Sequence, residues 1–144
     1  MAHFRLQSVL DYRQSLEDQA QQHLAEALMV ESRLRRQLDE AEAERTRVDG
    51  QRRQREEEGL SIAELQLYQS RIDHQRRLSQ ELQGQLQHAL AVTAERQQQL
   101  LLASQDREAM EKLKERDRQR QQARQKQQET KDLDEVGSRG RHDL

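Results

Sequence analysis

The chain has 144 residues, 32% of them hydrophobic and 36% charged, with three aromatic side chains (Phe4, Tyr12 and Tyr68) and neither proline nor cysteine. That composition excludes a thick globular core and any disulfide or thiolate chemistry, and it permits a reducing cytoplasm. A formal net charge of −2 gives no bulk field toward nucleic acid or a membrane surface.

Such a chain can still fill a narrow seam between two helices, because a coiled coil needs few apolar positions per heptad. The opening Met-Ala-His-Phe-Arg-Leu-Gln carries no apolar signal region. The first periodic stretch predicts a helix over about residues 3–57. Its seam reads Leu6, Val9, Arg13, Leu16, Ala20, Leu24, Ala27, Glu31, Leu34, Leu38, Ala41, Arg45 and Val48. Steps of three and four alternate, except for two successive fours ending at Leu24, which predict a stutter.

A turn is expected over about residues 58–61. Gly59 can adopt the left-handed conformation that closes a helix. Ser61 and Glu64 spell a capping box, and Leu60 with Leu65 spells a hydrophobic staple. The second helix is expected over about residues 61–135, with the seam Leu65, Tyr68, Ile72, Gln75, Ser79, Leu82, Leu86, Ala89, Thr93, Arg96, Leu100, Ala103, Arg107 and Met110. Gly137 and Gly140 are expected to end it, leaving a flexible tail over 136–144.

A fold-back near Gly59 makes the numbers of facing residues sum to roughly 116. Val48 is then expected opposite Tyr68, Leu34 opposite Leu82, Leu16 opposite Leu100 and Leu6 opposite Met110. Apolar clusters meet apolar clusters, which supports an antiparallel hairpin over a parallel dimer. The expected architecture is all-α: one long antiparallel two-helix coiled-coil hairpin, a lone monomer with arms of roughly 80 Å at 1.5 Å per residue. Helix 2 is expected to overhang from about residue 116.

The search for chemistry is negative. His3, His23, His74, His88 and His142 are too far apart in sequence to form a metal pair on one helical turn. No glycine-rich phosphate loop occurs, no serine has a positioned base, and a two-helix seam offers no pocket for a perturbed carboxylate. An enzyme, a metal site and a cofactor are all unexpected. Function must come from surfaces, and two stand out. From Lys112 to Lys126 seven basic residues outnumber two acidic ones, a segment suited to an acidic partner. No aromatic side chain interleaves it to stack on bases, which argues against nucleic acid. Leu10, Leu28, Leu67, Leu78, Leu90, Leu102 and Leu113 fall off the seam, as a partner surface would.

The opening Phe4-Arg5-Leu6-Gln7-Ser8-Val9-Leu10-Asp11-Tyr12-Arg13 resembles the start of flagellar export proteins of the FliJ type. So do Gly59, Leu60, Ser61, Glu64, Leu65 and Tyr68 before the helix containing Ile72, and the segment from Met110 to Arg116. The resemblance implies a non-enzymatic component of the flagellar type III export apparatus, similar in shape to the central stalk of rotary ATPases. It implies a cytoplasmic location, held at the membrane only through partners. Those partners would be the hexameric export ATPase, the cytoplasmic part of the export gate and export chaperones. Carried over, ATPase contact falls on Leu6, Leu10, Arg13, Leu113, Arg116 and Arg120, and gate contact on Gln37, Val48, Tyr68 and Leu78. A holdase-like export chaperone and a passive structural coiled coil are the other readings the sequence leaves open.

Overall fold

The computed structural model describes residues 3–142, with the side chains of 141 and 142 outside that description. The chain forms two helices, α1 (Gln7–Glu58) and α2 (Ile62–His142), and no strand among the described residues. It is an all-α helical hairpin, as the periodicity predicts. Gln, Arg, Glu, Leu and Ala are strong helix formers, and no proline interrupts them.

The link is three residues, Gly59, Leu60 and Ser61. Gly59 takes a φ of 101°, a left-handed conformation that a β-carbon disfavours. The Ser61 hydroxyl accepts the Glu64 amide at 3.1 Å, which caps α2. The other half of the expected box is replaced. The Glu64 carboxylate instead accepts Arg55 at 3.0 Å, tying the two helices together across the turn.

Packing falls into two compact units: one drawn from residues up to Ala20 and from Leu100 onward, the other spanning Gln21–Gln99. In the Gln21–Gln99 unit, Leu34, Ala41, Leu82 and Ala89 form one buried cluster, flanked by Leu38, Leu78 and Leu86. Val48 and Ile72 extend this core toward the turn. Thr93 is buried but donates to the Ala89 carbonyl at 3.0 Å. Ser79 is buried, and its hydroxyl has no partner among the described residues.

In the other unit only Leu10 and Ala20 are buried apolar residues among the described residues. Ions take over much of the seam. Arg107 donates to Glu17 at 3.1 Å across the helices and to Glu111 at 2.8 Å, while Arg13 reaches Asp106 at 3.4 Å.

Several expectations change. Helix α1 begins at Gln7 rather than near residue 3, after a turn in which the Gln7 amide bonds the Phe4 carbonyl at 3.0 Å. Leu10 replaces Val9 in the seam, at 2% exposure. With Leu10, Arg13, Glu17, Ala20 and Leu24 the three-four alternation runs unbroken, and no stutter is needed.

The register is also displaced. Arg13 bonds Asp106 where Ala103 was expected opposite, and Arg55 bonds Glu64 where Ser61 was expected. The reason is the link: three non-helical residues put the pivot at Leu60, further along than the fold-back first assumed. Asp117 and Gln121 are half-buried beside Phe4, so packing of α2 lasts to Gln121 rather than ending near 116. Helix α2 then continues through Gly137 and Gly140 to His142, where a tail from 136 was expected. Glycine lowers helix propensity by about 1 kcal/mol but does not forbid a helix. Residues 143 and 144 of that expected tail lie outside the described residues.

Candidate interaction surfaces

No helix among the described residues is long and apolar enough to cross a membrane. No group of three or more His, Asp or Glu side chains among them could hold a metal ion. What the hairpin offers is side chains arrayed along two helices, so each candidate is judged by whether it is presented to solvent.

Of the positions implied for ATPase contact, Leu6 and Leu113 are exposed. Arg116 and Arg120 are exposed too, and with Arg124 they recur every four residues along one helical face. None of these three arginines has an ionic partner among the described residues, whereas their neighbour Arg118 is paired to Glu115 at 2.8 Å. Arg13 is half-buried and held by Asp106. Leu10 is a core residue, so its side chain is not part of this surface.

Of the positions implied for gate contact, Gln37 is exposed and Tyr68 half-buried. The Arg71 guanidinium lies 5.9 Å from the centre of the Tyr68 ring, within cation–π range. Together with Leu67, Arg55 and Glu64 they line a cavity of about 400 Å³ beside the turn. Val48 is 1% exposed and presents no side chain to a partner, while Leu78 is half-buried and packs against the core cluster. The periodicity puts Val48 in the seam, and only the resemblance makes it a gate position; Leu78, off the predicted seam, packs at the edge of the core.

The off-seam leucines divide in the same way. Leu28, Leu67, Leu90, Leu102 and Leu113 are exposed, while Leu10 is buried and Leu78 half-buried. Sequence reasoning missed Met29, which is 73% exposed, and Leu101, also exposed. It also missed the Glu17–Arg107 pair. The arginine was legible as a charged residue at a seam position, but its partner was not. Glu17 is held below the usual carboxylate range, first by a hydrogen bond with Ser104 and then by Arg107, against an opposing effect of desolvation.

A groove of about 780 Å³ lies in the Gln21–Gln99 unit, with both helices as walls. Its floor is Ala27, Leu34 and Ala89, small or buried seam residues that leave the helices' flanks standing above it. Val30 and Val92 line it higher up, and Glu26, Arg33, Glu81 and Arg96 carry charge around it.

Compared with protein families, the chain matches the model described as "Flagellar FliJ protein" over residues 1–142. No curated protein and no solved structure gives a significant match.

Proposed function

The chain belongs to the flagellar FliJ family, and from that premise we propose that it is a non-enzymatic export component that binds the hexameric export ATPase and links it to the export gate. Family membership carries involvement in flagellar export. The finer reading concerns which surface meets which partner. It is supported by one observation above the others: exposed Leu6 and Leu113 occur in the same unit as the unpaired row Arg116, Arg120 and Arg124. Apolar side chains that are already in water lose little on docking and gain burial. Arginines with no internal partner are free to meet carboxylates on an acidic surface, a contact that steers association and weakens with salt. The protein then performs no chemistry; it shifts the ATPase among conformations by binding some of them better. Gate contact is assigned to the surface beside the turn, on Leu67 and Tyr68, and to Gln37 further along α1. In this reading the protein works in the cytoplasm and reaches the membrane only through its partners.

The test is to mix the full chain with its cognate ATPase and follow hydrolysis and ring formation. Stimulation is expected at micromolar concentration. Reversing Arg116, Arg120 and Arg124 to Glu should weaken it at low salt. No stimulation by the parent chain sinks the reading. Unchanged affinity of the reversed variant removes the arginines from it.

A second reading, a holdase-like export chaperone, is favoured by the exposed Leu28, Met29, Leu90, Leu101 and Leu102. It predicts suppression of aggregation of a generic unfolding client, which a stalk would not produce.

A further inference from the structure

The groove of the Gln21–Gln99 unit carries its charges in a symmetric order. On α1 Glu26 precedes Arg33, and on α2 Glu81 precedes Arg96. The helices run in opposite directions, so the two acids lie toward opposite ends of the groove, and so do the two arginines. Between the charges both walls repeat one pattern: Ala27-Leu28-Met29-Val30 on α1 and Ala89-Leu90-Ala91-Val92 on α2. The alanines are buried at the floor and the valines stand beside them.

We propose that the groove is covered by a second copy of this chain, α1 against α1 and α2 against α2, each pair antiparallel about one two-fold axis. An isologous contact requires a patch that complements itself, and this one does. An axis placed midway between Glu26 and Arg33 sets each Glu26 against Arg33 of the other copy. The midpoint of Glu81 and Arg96 falls between His88 and Ala89. In a hairpin that pivots at Leu60 these two midpoints lie nearly opposite each other. A single axis therefore satisfies both helices at once.

The local chemistry agrees. None of the four charges has an ionic partner among the described residues: Glu81 accepts only the Gln85 amide, at 3.5 Å, and Arg96 donates only to Gln99, at 3.1 Å. Each is free to pair across the axis. Gly84 lies in the α2 wall, and a β-carbon built there meets nothing within 4 Å. With Ala27 and Ala89 it keeps the walls low, which lets neighbouring helices approach closely. The product is a local four-helix bundle with an apolar centre of Ala and Val and ion pairs at its margins. The inference goes beyond the export reading and does not rest on it. The lone monomer expected from the sequence then holds at low concentration.

Sedimentation of the full chain from micromolar to sub-millimolar concentration tests this. A reversible dimer is expected, weaker at high salt. E26R and R33E should each weaken it by about tenfold or more. The combined E26R/R33E variant should recover most of the loss, because it restores opposite charges between copies. Glu26 and Arg33 are two turns apart on one helix, too far to pair within a chain, so the recovery reads the contact between copies alone. Gly84→Phe should fill the groove and abolish the dimer while leaving the thermal unfolding of the hairpin in place. The chain has no cysteine, so Val30→Cys, near the axis, should give a disulfide-linked dimer under mild oxidation, and Met29→Cys should not. A monomer at every concentration overturns the proposal, as does a combined variant no better than the single ones. A groove that takes up a helix of the export ATPase while the chain stays monomeric also overturns it.

Discussion

The two units are built from the same pair of helices but by different means. The Gln21–Gln99 unit buries Leu34, Ala41, Val48, Ile72, Leu82 and Ala89, and its cross-helix ion pair, Arg55–Glu64, sits at the turn. Among its described residues the other unit buries only Leu10 and Ala20 as apolar side chains, and it sets Arg107 between Glu17 and Glu111 in its seam. Apolar burial is strong and indifferent to direction. Half-buried ion pairs contribute little net stability, because desolvation offsets most of the attraction, but they penalise a slipped alignment. The comparison teaches a division of labour: one unit supplies cohesion, the other supplies registration.

The largest expected break is at Leu82. Leu82→Ala removes a buried leucine from the main cluster and should cost about 2–3 kcal/mol. Amide exchange should speed up mainly within residues 21–99. Equal acceleration in both units would mean that they do not differ in how they are held.

Gly59→Ala acts on the link alone. A β-carbon at φ 101° meets no neighbouring atom, so the loss is backbone strain, about 1–2 kcal/mol. Denaturant unfolding measures it, and no loss would show that the link relaxes freely.

Arg107→Ala should have a smaller effect than either, confined to exchange in the unit that contains it. The paired change Glu17→Leu with Arg107→Leu should raise thermal stability while loosening alignment, visible as broadened distances between spin labels on the two helices. If stability falls instead, the ions are cohesive and the division of labour fails.

Acidification should produce the smallest effect. Glu17 has a folded value below its ordinary 4.5, so its contribution is present above 4.5 and is lost as pH falls through the lower folded value. Glu17→Gln should flatten that part of the acid limb and leave the neutral range unchanged in shape.

The turn was the most legible part of the sequence. Gly59, Ser61 and Glu64 announce it through local backbone chemistry, and α2 from Tyr68 to Met110 follows its apolar period closely. The beginning of α1 was less legible because Leu6, Val9 and Leu10 are all apolar and periodicity cannot choose among them. Glu17 in the seam was hidden, since its reason lies ninety residues away at Arg107. Of the candidate surface, the exposed arginines and Leu113 were readable as off-seam positions. Val48 and Leu78 became gate positions by resemblance, although the periodicity already puts Val48 in the seam; the packing of this hairpin buries Val48 and half-buries Leu78.

Beyond Gln121 every α2 residue with a described side chain is exposed, up to Gly140. That stretch is helical through bonds it makes with itself, such as Gln128 to Asp132 at 3.2 Å. Its helicity therefore rests on α2's own backbone and side-chain bonds, continued from the packed part of the helix, and not on packing against α1. Proteolytic trimming just after Gln121 should leave the main melting transition where it was, while removing a segment that only a binding partner could hold rigid.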